Sequence, residues 1–362
     1  MLDSQTLRPD ERAGLRLREL YRRHGYLPYR MSKFEPYDLY ARNKGFLVSE
    51  HILTFTDTDG RLMALKPDVT LSIVRSAAGG AGTTQKVFYQ ENVYRASPAA
   101  GYREIMQAGL ECIGSLDLLD MGEVLALAAE SLALLRSDYL LDLGHMGVVS
   151  ALLEGLPESA QSELLGEIGR KNTAAIRALC AQAGAPYEQA ERLCRLAGLY
   201  GTPEEVLPQL AQLTEGRGEA LAELEQLCTL LEHRGLAERL RLDFSIANDM
   251  RYYNGVIFRG YLPGLASGVL AGGRYDNLLR RMGKTGAAAG FAVYLDQLER
   301  LEEEDGCDVD VLLLYGPGDD PAAVARLAEE VRGGGRSVRT GRSVPQGLRY
   351  TELMRFGEGG GL

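Results

Sequence analysis

The sequence lacks long apolar runs, lacks an excess of positive charge and has very little histidine, and each shortage removes a class of function. Its apolar stretches are far too short to cross a bilayer. The opening Met1-Leu2-Asp3-Ser4 has no basic and then apolar stretch of the kind that directs secretion, so a cytoplasmic location and no membrane partner are expected. Forty Lys and Arg against fifty Asp and Glu give a formal charge of -10, which argues against affinity built on neutralising many phosphates. No nucleic-acid partner is expected. The four histidines (His24, His51, His145, His233) stand isolated, and the five cysteines (Cys112, Cys180, Cys194, Cys228, Cys307) form no CxxC pair. A protein-built metal site is therefore not expected, and the cysteines read as reduced, mostly packed thiols. There is no P-loop and no internal repeat, and the doublet Gly272-Gly273 alone is a weak phosphate signal.

The 362 residues, 45% of them apolar, supply ample material for at least one large core and set an expectation of about two domains. Residues 11–23 place Ala13, Leu17, Leu20 and Tyr21 on one face of an amphipathic helix that Pro28 terminates. The runs 53–57 and 62–66 flank Thr58-Asp59-Gly60-Arg61, the signature of a tight antiparallel hairpin. A second strand pair is predicted over 86–95 and 105–113, with positions 107, 109 and 111 on one face. Helical spacing returns over 123–135. From about 140 to 241 the composition shifts to Leu, Ala, Glu and Arg, broken at Pro157, Gly184-Ala185-Pro186, Gly201-Thr202-Pro203 and Gly216, which predicts a helical insertion. Strands are predicted at 242–245, 252–258, around Val269 and at 290–294. After the charged linker 302–306, a strand over 308–315 and a helix over 322–332 read as a small α/β appendage (307–362), whose Gly-rich end 357–362 reads as disordered.

Two groups of polar residues could carry chemistry. Asp68 and Thr70 just after a strand, Arg95 at a strand end, and Gln107 and Glu111 on one strand face would suit an amphoteric ligand: carboxylates for an ammonium, a guanidinium for a carboxylate or phosphate, an amide for either. Each taken singly reads first as an exposed strand charge or a surface ion pair. Tyr252-Tyr253-Asn254-Gly255 and Ala271-Gly272-Gly273-Arg274-Tyr275-Asp276 form the second group, whose tyrosines suit stacking against an imidazole or similar ring or a place in the core. Arg274 and Asp276 read as a structural pair.

These residues carry a resemblance. Leu65-Lys66-Pro67-Asp68-Val69-Thr70 resembles the Leu-Arg-Pro-Glu-x-Thr element of histidyl-tRNA synthetases, and Val93-Tyr94-Arg95 through Tyr102-Arg103-Glu104-Ile105-Met106-Gln107-Ala108-Gly109-Leu110-Glu111-Cys112-Ile113-Gly114 resembles their class II motif 2. Pro28 to Tyr40, with Glu35, is similar to the dimer-forming motif 1. Tyr252-Tyr253 and the Ala-Gly-Gly-Arg-Tyr-Asp block resemble the two histidine signatures, and 290–298 sits where motif 3 belongs. The resemblance spans about residues 10–300. It implies an α+β fold: a class II synthetase-like antiparallel sheet flanked by helices, with the helical insertion and an appendage like a reduced anticodon-binding domain.

The departures point away from aminoacylation. Where motif 3 supplies an arginine to ATP phosphates this chain has Gln297, with Tyr294 at a position normally glycine; motif 2 has Ser97 in place of Glu; and Asn248 replaces the arginine of the first histidine signature. Two lost charge-assisted partners at roughly 1.5–3 kcal/mol each would remove about two to four decades of binding or rate. With Asp68, Thr70, Arg95, Gln107, Glu111 and Tyr275 retained, the pattern is similar to the synthetase paralogues that serve as regulatory subunits of ATP phosphoribosyltransferase. That resemblance implies a chain without catalytic residues or cofactor, needed for activity of a short-form ATP phosphoribosyltransferase catalytic subunit and for feedback inhibition by histidine in histidine biosynthesis. It implies a dimer within a hetero-octamer. It also implies histidine contacts from Asp68, Thr70, Gln107, Glu111 and the tyrosines among Tyr252, Tyr253 and Tyr275, with Arg95 on the carboxylate. The rival readings are a divergent histidyl-tRNA synthetase and a stand-alone amino-acid sensor.

Overall fold

The computed structural model describes residues 7–43, 52–77, 84–97, 101–215, 218–247, 252–300 and 307–357. The chain divides into two compact units, Met1–Leu301 and Glu302–Leu362.

In the first unit a nine-stranded sheet carries the architecture. In spatial order its strands are Leu27–Pro28, Gln85–Ser97, Gly101–Gly114, Ala287–Tyr294, Leu270–Arg274, Val256–Tyr261, Leu140–His145, Leu240–Asp243 and Tyr200–Gly201. Neighbours pair antiparallel except Leu27–Pro28 with Gln85–Ser97 and Leu140–His145 with Leu240–Asp243. The long hairpin Gln85–Ser97/Gly101–Gly114 sets the register of the face that matters: Val87 opposes Glu111, Tyr89 opposes Gly109 and Glu91 opposes Gln107. Because side chains alternate, Gln107, Gly109 and Glu111 share one face, as their spacing predicts.

Helices cover the opposite face. Asp117 caps the helix Leu118–Leu135, accepting from Asp120 N–H at 2.9 Å. Its apolar residues Val124, Leu125, Leu127, Ala128 and Leu132 are wholly buried in the main core with Leu17, Leu110 and Phe291. The opening helix Pro9–Arg23 joins this layer through Leu17 and Tyr21, and the Tyr21 hydroxyl pairs with Ser131 Oγ at 3.0 Å. The Asp-Gly hairpin forms with Gly60 at φ +79° and with Asp57 Oδ1 accepting from Asp59 and Arg61 N–H, at 2.9 and 2.8 Å. It belongs to a separate three-stranded sheet with Phe34–Pro36. In that sheet Glu35, at the heart of the motif 1 segment, is buried and takes Arg75 in a two-point ion pair at 2.6 and 3.0 Å.

The structure corrects two predicted boundaries. The segment 140–241 does not run as helices throughout: it opens on the strand Leu140–His145, closes on Leu240–Asp243 and includes Tyr200–Gly201, all in the central sheet. Its helices occupy Met146–Leu153, Glu158–Gly169, Thr173–Gln182, Tyr187–Gly198, Pro203–Leu213 and Glu219–His233. The first strand has five consecutive buried residues, so it shows none of the alternation that separates a strand from a buried helix. The strand predicted over 252–258 starts only at Val256, because Tyr252–Gly255 bends into the polar cluster described below. The breaks at Gly216, the linker 302–306 and the last five residues of the Gly-rich end lie outside the described residues.

In the second unit Val309–Leu314 runs between two parallel partners, Val338–Gly341 and Tyr350–Arg355. The helix Pro321–Gly333, capped by Asp320 to Ala322 N–H at 3.0 Å, packs Val324 and Ala328 on Leu313.

Candidate functional site

Above the face of the central sheet that carries Gln107, Gly109 and Glu111 lies a cavity of about 350 Å³. All eight residues that the sequence singles out line it: Asp68, Thr70, Arg95, Gln107, Glu111, Tyr252, Tyr253 and Tyr275. Four elements deliver them. The turn into the helix Thr70–Ser76 brings Asp68 and Thr70, and Asp68 Oδ1 fixes the helix start by accepting from Leu71 N–H at 2.8 Å. The long hairpin supplies Arg95, Gln107 and Glu111. The bend Tyr252–Gly255 and the end of the strand Leu270–Arg274 supply the tyrosines.

Glu111 is the electrostatic centre. It is 2% exposed; Thr70 Oγ1 donates to its Oε1 at 2.7 Å and the Tyr275 hydroxyl donates to its Oε2. Burial pushes its carboxyl up to about 8 although both hydrogen bonds oppose the shift, and Asp68 adds to it. Burial also raises Asp68, against the Leu71 amide and the Arg95 guanidinium. Two carboxyls raised by loss of water in one cavity make a site that gains most from a ligand bringing its own N–H donors or positive charge. Three tyrosines close one wall: Tyr252 meets Tyr253 edge-on at 4.6 Å and tilts against Tyr275 at 5.8 Å. Such rings suit a flat heteroaromatic group beside an acid. Gly290 makes room on the floor: a Cβ there would lie 1.8 Å from Glu111 Oε2 and 2.4 Å from the Leu110 carbonyl oxygen.

Behind this wall, Asp276 Oδ1 accepts from Ala288 N–H at 2.9 Å while Oδ2 accepts from Arg274 Nε at 2.9 Å and Asn254 Nδ2 at 3.1 Å. Arg274 and Asp276 are thus the structural pair that their spacing suggests, and they hold Tyr275 toward Glu111. Among the described residues no His, Cys, Asp and Glu side chains gather into a metal-holding group. Cys112, Cys180, Cys194 and Cys228 are buried free thiols.

A histidyl-tRNA synthetase family profile matches residues 2–298. The chain is 33% identical over 351 residues to an ATP phosphoribosyltransferase regulatory subunit of Moorella thermoacetica, covering 92% of this chain and 89% of that protein. It is 32% identical over 325 residues to the protein of the same name from Symbiobacterium thermophilum, covering 84% and 81%. The chain belongs to the family of ATP phosphoribosyltransferase regulatory subunits. A solved structure described as an ATP phosphoribosyltransferase regulatory subunit/histidyl-tRNA synthetase from Bacillus halodurans C superposes with a TM-score of 0.75 at 26% identity, covering 96% of this chain and 93% of that one. The class II synthetase-like fold is that of the regulatory-subunit family.

Within this family fold, the departures noted in the sequence have structural places. Gln297, at the motif 3 arginine position, is engaged by a turn: its Oε1 accepts from Ser267 Oγ at 3.0 Å and its Nε2 donates to the Gly268 carbonyl at 3.4 Å. Tyr294 stands on the cavity wall directly across from Gln107. Ser97 closes the long hairpin opposite Gly101, and Asn248 lies outside the described residues. The structure also adds lining residues that sequence reasoning did not assign to the site: Tyr89, Arg259 and Phe291. Tyr89 was accessible from the alternation of its strand opposite Gly109. Arg259 showed only as a charge inside an otherwise apolar strand, since nothing local reveals which strand lies beside it.

Proposed function

We propose that this chain is the non-catalytic partner of a short-form ATP phosphoribosyltransferase catalytic subunit, that it works in the cytoplasm, and that it carries the histidine feedback of the complex in the cavity around Glu111. The observation that carries this reading is the unequal fate of two halves of one site. The half suited to a zwitterion with an aromatic ring keeps a buried acid with two hydroxyl donors and three tyrosines. The half that a nucleotide needs has an amide tied to a turn at 297 and a tyrosine on the wall at 294.

The names of the relatives support a phosphoribosyltransferase partner. A hetero-octamer built on a dimer through the motif 1 region, with Glu35 and Arg75 bracing that segment, is the assembly in keeping with the family resemblance. Inhibition then requires histidine to prefer one quaternary state, and a coupling of about 1–3 kcal/mol is ordinary for such systems. No cofactor enters this scheme.

The non-catalytic part is tested on the isolated chain by histidine-dependent exchange of pyrophosphate into ATP. No exchange above the rate without histidine is expected. Sustained exchange would make the chain a working synthetase and remove the regulatory reading.

A further inference from the structure

A second carboxylate, behind the tyrosine wall, ties the cavity to the helix Glu219–His233. Glu223, near the start of that helix, uses both of its oxygens: Oε2 accepts from His145 Nε2 at 3.2 Å and Oε1 accepts from Arg274 Nη1 at 3.4 Å. His145 ends the strand Leu140–His145, and its Nδ1 accepts from Gly147 N–H at 3.0 Å, which leaves the ring proton on Nε2, facing Glu223. Both partners of Glu223 are therefore donors. The hydrogen bond from His145 and the Arg274 guanidinium hold the Glu223 carboxyl below its ordinary range, so it stays an anion with two acceptor oxygens.

Two glycines keep these contacts close. A Cβ on Gly147 would lie 2.9 Å from Ala220 Cβ, on the same helix as Glu223, and 3.0 Å from His145 Cε1. A Cβ on Gly255 would lie 2.8 Å from Arg274 Cδ. The helix and the guanidinium reach one another because neither position carries a side chain.

From Arg274 the contacts lead into the cavity. Arg274 Nε donates to Asp276 Oδ2 at 2.9 Å, its carbonyl oxygen accepts from Asn254 N–H at 3.0 Å, and Asn254 Oδ1 accepts from Asp276 N–H at 2.7 Å. Tyr275 stands between these two tethered residues. It donates its N–H to the Ala288 carbonyl at 2.7 Å and its hydroxyl to Glu111 Oε2. A side chain that is 2% exposed and held by its backbone on both sides has its hydroxyl aimed by those tethers. Glu223, His145 and Arg274 stand outside the residues that line the cavity, so the chain of contacts from Glu223 reaches a ligand at Tyr275.

We propose that Glu223 is a positioning residue for this cavity: from the helix Glu219–His233 it anchors Arg274 and thereby the aim of Tyr275 at Glu111, so that the placement of this helix sets ligand affinity without touching the ligand. This role rests on the reading of the cavity as a histidine site.

The test is a double-mutant cycle read as L-histidine affinity, by calorimetric titration of the full chain. Glu223→Gln keeps the size of the side chain but presents one acceptor and one NH2 group to two donors, so one of the two contacts is lost. Its L-histidine affinity is expected to fall by about 3- to 30-fold with the binding stoichiometry unchanged. Tyr275→Phe is expected to weaken binding on its own, by taking the hydroxyl from Glu111. In that background Glu223→Gln is expected to change the affinity by less than about twofold, because the group it positions is gone. Glu223→Asp, which keeps the charge on a shorter stem, is expected to fall between wild type and Glu223→Gln and takes its place in the cycle if Glu223→Gln is poorly folded. Equal affinity in wild type and Glu223→Gln overturns the role, as does a Tyr275→Phe variant that binds like wild type. A fall of the same size in both backgrounds also overturns it, since Glu223 would then support the fold at large. Wild type that does not bind L-histidine overturns the histidine reading of the cavity and this role with it.

Discussion

In Glu111→Ala, the histidine concentration needed to inhibit the assembled complex by half is expected to rise by roughly 10- to 150-fold, while co-elution with the catalytic subunit is unchanged. The magnitude follows from losing one hydrogen bond to a charged group, about 1.5–3 kcal/mol. The direction follows from position: Glu111 is wholly enclosed by Thr70, Tyr275 and the cavity, so its removal reaches the ligand before it reaches any surface. Loss of inhibition and assembly together would mean that Glu111 supports the fold and not the effector.

The same residue leaves a pH signature. Its carboxyl titrates near 8 in the folded chain against an ordinary value of 4.5, so between those limits the folded state holds a proton that the unfolded state has released. Stability from this group is therefore fully present below about 4.5 and declines as pH rises toward 8. In Glu111→Gln that part of the slope is absent, and the difference in unfolding free energy between variant and wild type grows from pH 5 to pH 8. A difference that is flat across the range would show that Glu111 is ionised in the folded chain at all these pH values.

Gly290→Ala is expected to have the second large effect, on binding and stability together. The new methyl would come within 1.8 Å of the Glu111 carboxylate and 2.4 Å of a backbone carbonyl on the neighbouring strand, and the latter cannot swing away. Forcing such a methyl into a packed site costs about 1–3 kcal/mol. For a unit of about 300 residues that corresponds to a melting temperature lower by roughly 2–5 °C. Histidine binding is expected to fall at least about tenfold, because the side chain that gives way most easily is Glu111 itself. An alanine variant with unchanged melting and unchanged affinity would show that the floor of the cavity is not where the register places it.

How far the sequence could be read depends on where each signal resides. The alternation of Gln107, Gly109 and Glu111 is a local property, so the face they share was legible before the strands were paired. The Asp59-Gly60 hairpin was legible for the same reason, since the turn makes its own demand for positive φ. Leu140–His145 was misread because a strand buried on both faces lacks alternation, and Leu141 and Leu143 are both fully buried. That misreading also hid the place of His145, at the end of the same strand. Arg259 reaches the site through three successive strand pairings, none of which leaves a trace in residue spacing, so only the assembled sheet shows it. Asp68, Thr70 and the tyrosines stand out in the sequence as two separate polar groups, and only the motif resemblance joins them into one site, because their positions in the chain are far apart and no periodicity indicates their convergence.

The most direct measurement mixes the full chain with a short-form ATP phosphoribosyltransferase catalytic subunit and follows turnover as histidine is titrated. Turnover that depends on the chain and falls as histidine rises is the expected result. Turnover that is the same with and without the chain, or that ignores histidine when the chain is bound, would contradict it.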